Sequence, residues 1–172
     1  LNIPPKEVAY KLQTKGISKP QHFNDVSILF TDFKGFTSIA DKLSPRELVE
    51  DLNECFIELD SIIDKYNIKK IKTIATLICA PAIFLPRTLI MPYKIVKAAM
   101  EIQAFIEKYN LLRVDKSLQP WEIRIGVHVG PVVAGVVGKK KYAYDIWGSA
   151  VHCKPYGKQW HTRKSEYFCL HL

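Results

Sequence analysis

The sequence predicts an α+β sandwich of the ferredoxin-like kind, on three observations. An apolar run from Val26 to Phe30 reads as a buried strand. Two long stretches carry apolar residues at spacings of three and four, as helices do. Period-two segments lie between and after them. Strand, helix, strand pair, helix, strands is the order of that architecture. With 172 residues, the chain is long enough for one domain with a real core. Its 48% hydrophobic and 24% charged content is that of a soluble globular protein.

The chain begins at Leu1, not at methionine, which predicts a fragment of something longer. No signal peptide is visible. Residues 1–22 read as a connector from an upstream region, or as a plain N-terminal arm. Within them Glu7 to Leu12 can form a brief helix that Lys15-Gly16 ends. The strand that follows delivers one carboxylate, Asp32, to its C-terminal end. Gly35 then turns the backbone, and Phe36-Thr37 open a helix. A carboxylate beside free N–H groups at a helix start suits a metal-bound phosphate; an ordinary strand–turn–helix is the alternative.

Ser44-Pro45-Arg46-Glu47 is a capping box with proline at the first helical position. The helix behind it is expected to bury Leu48, Leu52, Phe56, Leu59 and Ile63. From Lys70 to Ile74 the pattern approaches period two. Between Lys72 and Arg87 lie fourteen uncharged residues, broken by Pro81 and Pro86 and without clear periodicity. That is too short to span a bilayer, which needs about twenty apolar residues. Tyr93 to Tyr109 predicts a second helix with Ile95, Ala99, Ile102 and Ile106 on one face. Trp121 to Val129 alternates, with Ile123, Ile125 and Val127 on one side. Gly130-Pro131 predicts a turn, Val132 to Val137 a further strand, Lys139-Lys140-Lys141 a solvated loop, and Tyr142 to Trp147 a last strand.

The formal charge of +8 invites a nucleic-acid reading. Much of the excess sits in the tail, where Lys154, Lys158, Arg163 and Lys164 face Glu166 alone, and no basic helix stripe or aromatic-basic module is present. Nucleic acid is therefore not the expected partner. Cys55, Cys79, Cys153 and Cys169 show no CxxC pairing and read as reduced thiols of a cytoplasmic protein. His128 and His22 are conceivable metal ligands or proton shuttles, but His128, on the alternate face of a strand, reads as structural. His152, Cys153, Cys169 and His171 are not taken as a zinc site.

Together these motifs resemble the catalytic domain of class III nucleotide cyclases. The stretch from Phe30 to Thr37 resembles the family's first metal motif, Lys70-Ile71-Lys72-Thr73-Ile74 the start of its second, and Arg124 through Gly138 with Tyr144-Asp145-Ile146-Trp147-Gly148 its third block. The resemblance implies a homodimer with interfacial active sites, on a fold that agrees with the order above. It implies two aspartates holding two Mg2+ (or Mn2+) ions on the triphosphate, so that the ribose 3′-hydroxyl attacks the α-phosphate and expels pyrophosphate. Asp32 matches the first metal aspartate; Phe33, Gly35, Phe36 and Thr37 fall in the substrate-binding turn. Lys72 matches the lysine of adenylate cyclases, where guanylate cyclases place glutamate. Asp145 matches their aspartate, where guanylate cyclases usually carry cysteine. A lysine donor and a carboxylate acceptor complement adenine, so ATP is the expected substrate and cyclic AMP the product. Residues 1–22 resemble the connector to an upstream sensor, and 23–172 the catalytic domain, C-terminally incomplete. No membrane contact by this segment is expected.

Two family elements are absent. After Ile74 the family usually reads GDAYM, whose aspartate is the second metal ligand; Thr76 stands at that place. After Val151 it usually reads NTASRM, whose asparagine and arginine stabilise the transition state, so no catalytic residue of that pair is intact. Deleting one base from codons for GDAYMCA yields Ala75-Thr76-Leu77-Ile78-Cys79-Ala80. Codons for the family's continuation, read one frame over, also spell the tail from His152. Frameshifts at about residues 75–91 and 152–172 are therefore inferred, and resequencing the gene tests them. In the unshifted protein the domain is an adenylate cyclase. The chain as written is instead expected to lack a helix and final strands, and to be a catalytically dead remnant or dimerisation module. Its stretch from Ala75 to Ile90 would then be an aggregation hazard.

Overall fold

The computed structural model describes residues 6–16, 18–70, 72–74, 77–82, 90–138, 143–148, 151, 155–156, 159–160 and 167–170. Of these, 6–7, 72–74, 77–82, 90–92, 143, 155–156, 159–160 and 167–170 are described by their backbone course. The elements run α1 (Lys6–Lys15), β1 (Gln21–Lys34), α2 (Phe36–Ala40), α3 (Pro45–Lys65), β2 (Lys72–Ile74), β3 (Leu77–Ala82), α4 (Ile90–Asp115), β4 (Glu122–Val137), β5 (Ala143–Trp147), β6 (Pro155–Tyr156), β7 (Gln159–Trp160) and β8 (Tyr167–Leu170). The main sheet has the order β2-β3-β1-β4-β5, antiparallel throughout, with β8 also paired to β4. This is the expected α+β architecture.

Helix α3 starts where its cap dictates. The Ser44 Oγ accepts the Glu47 N–H and the Glu47 carboxylate accepts the Ser44 N–H, closing the capping box. Its buried stripe is Cys55, Leu59, Ile62 and Ile63, with Leu48, Leu52 and Phe56 partly buried against it. Helix α4 buries Ile95, Ala98, Ala99, Ile102 and Ile106, as its spacing predicts, and runs longer than the sequence pattern at both ends. Both helices pack on one face of the sheet, against Leu29, Phe33, Ile125 and Val127.

The other face has its own core. Val26, Ile28 and Phe30 of β1 meet Val132 and Ala134 of β4 and Tyr144 and Ile146 of β5. Helix α1 contributes Val8 and, at the margin, Leu12 to this cluster. The alternation of β1 thus feeds two cores, which is why its sequence is apolar at consecutive positions rather than at every second one.

Two expectations are corrected and one is met. No turn divides the segment at Gly130-Pro131: β4 runs unbroken from Glu122 to Val137. The register of β1 on β4 shifts between Phe23 and Val26, so Asn24 and Asp25 oppose Pro131 alone. A bulge accommodates there a proline that has no N–H for the ladder. The expected strand pair is present: β2 pairs with β3, and β3 with β1 from Ser27↔Ala82 to Thr31↔Ile78. Finally, the tail does supply a late strand: β8 pairs with β4 from Ile125↔Leu170 to His128↔Tyr167.

Candidate active site

Asp32 lies near the C-terminal end of β1, directly opposite Arg124 of β4. Residues in such register project from the same face of an antiparallel pair and touch. The Arg124 guanidinium donates to the Asp32 carboxylate in an ion pair whose side chains are 23% and 13% exposed. Two residues on, Lys34 and Glu122 are again opposite and again paired, on the rim of the sheet. The signs alternate: acid facing base, then base facing acid. The four side chains neutralise one another within this patch.

Gly35 follows at φ 67°, the left-handed region, and caps α2 at its N-terminus. A Cβ there would meet nothing within 4 Å, so glycine serves the backbone turn rather than a tight contact. Phe33 is buried in the helical-side core and Phe36 is partly buried against it. Their rings lie 5.1 and 5.8 Å from that of Trp121. Of these two residues of the expected substrate-binding turn, Phe33 is fully committed to the core and Phe36 remains partly exposed. Thr37 is exposed in the first turn of α2.

Behind this aromatic group sits Arg113, only 3% exposed. Its Nη1 donates to Asp51 of α3 at 2.5 Å, its Nε to the Gln119 carbonyl at 2.8 Å, and its guanidinium lies 5.0 Å from the Trp121 ring centroid. Cys55 is buried in the same core, and desolvation pushes its thiol up to about 12.

The residues expected to read the base belong to β2 and β5. Lys72 opens β2 with its backbone opposite Cys79. Asp145 stands opposite Gly135, half-buried, between Tyr144 and Ile146, which face the second core. Its Oδ1 accepts the Ile146 N–H at 2.9 Å. Although β2 and β5 end opposite sides of the strand order, the Lys69 ammonium lies 5.7 Å from the Tyr144 ring centroid. The segment leading into β2 therefore reaches β5, and burial there lowers the Lys69 pKa. Thr76 and the 152–154 segment lie outside the described residues.

The donor set around Asp32 does not fit a pair of divalent cations. Its carboxylate is held by Arg124, Lys34 stands beside it, and among the described residues no group of three or more His, Cys, Asp or Glu could hold a metal ion. Neither His22, exposed on β1, nor His128 on β4 enters such a group. Arg124 is the residue that sequence reasoning passed over. It opens the third motif block, but its meeting with Asp32 depends on strand register, which a single strand's pattern does not encode. Among the described residues no helix is long and apolar enough to cross a membrane.

Residues 18–154 match the family described as the adenylate and guanylate cyclase catalytic domain. Guanylyl cyclase C of Mus musculus is 36% identical over 149 residues, which are 86% of this chain and 14% of that protein. The chain thus spans about one seventh of the length of the curated relatives it matches. The catalytic core of a rhodopsin-guanylyl cyclase with converted specificity, solved with ATPalphaS, superposes with a TM-score of 0.69 at 25% identity, over 78% of this chain and 71% of that one. The adenylyl cyclase CyaB of P. aeruginosa gives 0.71 at 22% identity, over 78% and 70%, a likeness of fold. With its strand order, its two sheet faces and more than three quarters of its length matched, this chain belongs to the adenylate and guanylate cyclase catalytic domain family.

Proposed function

We propose that the domain is of the adenylate type, turning ATP into cyclic AMP and pyrophosphate through attack of the ribose 3′-hydroxyl on the α-phosphate. In this reading Lys72 donates to a ring nitrogen of adenine and Asp145 accepts from its amino group. The observation that carries it is the pair of residue types at these two positions, supported by the approach of the Lys69 segment to β5. A base with the opposite donor pattern would leave both groups unpaired, and sites built on polar recognition discriminate strongly against such a ligand. The reading further takes the active unit as a homodimer in the cytoplasm and residues 1–22 as the link to an upstream sensor; the Mg2+ or Mn2+ it requires belongs to the unshifted protein, with a carboxylate in place of Thr76.

A second reading has its own support. The clasp of Asp32 by Arg124, with Thr76 at the family's second carboxylate position, favours a cyclase-fold module without turnover in the chain as written. Purified protein incubated with labelled ATP or GTP, with Mg2+ or Mn2+, separates the two. Cyclic AMP in excess over cyclic GMP is expected of the first reading; a preference for GTP overturns it. No product from either nucleotide, and none after Thr76→Asp, is the result expected of the inert module.

A further inference from the structure

We infer that Asp32 in this chain serves as half of a β1–β4 clasp and that Arg124 keeps divalent cations off its carboxylate. The register puts the two side chains face to face, and the next opposed pair, Lys34 and Glu122, repeats the contact with the signs reversed. A cation approaching Asp32 meets a carboxylate whose charge is already balanced. The Arg124 guanidinium already occupies that carboxylate, while the neighbouring Lys34 and Glu122 offset each other. Hard divalent ions take several oxygen ligands and favour sites with more than one carboxylate. Glu122, the other acid here, is itself paired to Lys34. The partial burial of Asp32 and Arg124 strengthens their attraction over that of an exposed pair, because less water screens it. The clasp therefore acts as an internal competitor: the carboxylate that in the family faces a metal here ties two strands together. This inference rests on the second reading above, the module without turnover, and is independent of which base the domain selects.

The test is Mn2+ titration of the full 172-residue chain, following free Mn2+ by electron paramagnetic resonance. Wild type and Asp32→Asn are expected to take up Mn2+ alike. Arg124→Gln is expected to gain a site at least about tenfold tighter than any in wild type, at the low end of what one adjacent charge does to a proton's affinity for a carboxylate. Adding Asp32→Asn to Arg124→Gln removes that site. Stoichiometric Mn2+ uptake by wild type that Asp32→Asn abolishes would overturn the inference, as would Arg124→Gln binding no more tightly than wild type. Should the variants not fold by circular dichroism, the melting temperature of wild type decides alone. It is expected to be the same with and without Mn2+, and a rise that grows with Mn2+ concentration refutes the clasp.

Discussion

The buried Arg113–Asp51 pair offers the sharpest energetic test of this fold. Arg113 is 3% exposed and Asp51 19%, and their 2.5 Å contact joins α4 to α3 beneath the aromatic group that backs Phe33 and Phe36. Asp51→Asn removes the charge opposite the guanidinium and leaves it in the core with neutral acceptors alone, the Gln119 carbonyl, the Tyr109 hydroxyl and the new amide oxygen. Breaking a buried pair in this way costs about 3–5 kcal/mol. That is a large share of the roughly 5–15 kcal/mol that holds a domain folded. At about 2–4 °C per kcal/mol for a chain of this size, the melting temperature should fall by about 6–20 °C. Arg113→Met should cost a similar amount, since it abandons the Asp51 carboxylate and the stacking on Trp121. The double variant Asp51→Leu with Arg113→Met replaces both charges by apolar volume and should recover most of either loss. Urea unfolding of wild type, Asp51→Leu, Arg113→Met and the double variant, followed by far-UV circular dichroism, gives the four corners of the cycle. A coupling energy of about 2 kcal/mol or more is expected. Single variants that each cost under about 1 kcal/mol, or losses that simply add, would refute the view that this pair is desolvated and mutually dependent.

Gly35→Ala should cost about 1–2 kcal/mol, the price of a left-handed backbone alone, because a Cβ there meets open space; Gly35→Asn should cost less in the same unfolding assay. Gly148→Ala should be the more damaging of the two alanine changes. At φ 152° its Cβ would lie 2.7 Å from the Pro131 carbonyl oxygen, so backbone must move. Leu59→Ala, at a fully buried position between the helices and the sheet, should lose about 2–5 kcal/mol. Cys55 gives a pH signature: its folded pKa of about 12 stands above the ordinary thiol value, so the folded state holds its proton while the unfolded chain releases it. Its contribution is complete below about pH 9 and is lost as pH rises towards about 12, with a slope of up to about 1.4 kcal/mol per pH unit that Cys55→Ala should remove.

Local periodicity made most of this fold legible. The stripes of α3 and α4 and the apolar run of β1 follow from which side chains meet on a helix turn or a pleated strand, and neighbours in sequence specify that. What escaped depends on partners distant in sequence. Pro131 signals a turn until one sees that β1 spends two residues against it. Pro81 signals a break, yet in β3 it lies beyond Leu77 to Cys79, where β2 pairs, so among the described residues it faces no ladder on that edge. The same holds at the site. Asp32 and the Gly35 turn could be read from one stretch, but the Asp32–Arg124 contact spans ninety-two positions and rests on register alone. The packing of the Phe33 and Phe36 rings on Trp121 likewise joins residues far apart in sequence.

Base choice is separable from overall similarity, and this decides how the guanylyl cyclase relatives bear on it. Identity of 36% over 149 residues reflects chiefly what the cores, turns and strand pairings require. Discrimination between adenine and guanine needs only a few donors and acceptors of the correct sense, because each mismatched buried group loses its partner. The adenine reading proposed for Lys72 and Asp145 is therefore compatible with a sequence similar to guanylyl cyclases elsewhere. The pair can be tested even if the chain proves inert, by equilibrium binding of fluorescent nucleotides rather than turnover. Wild type is expected to prefer the adenine nucleotide. Lys72→Glu with Asp145→Cys, the pair that the resemblance associates with guanine, should move the ratio of affinities towards GTP by about a hundredfold, well within what polar recognition achieves. Equal loss of both nucleotides in the double variant would mean that these residues support the sheet and do not read the base.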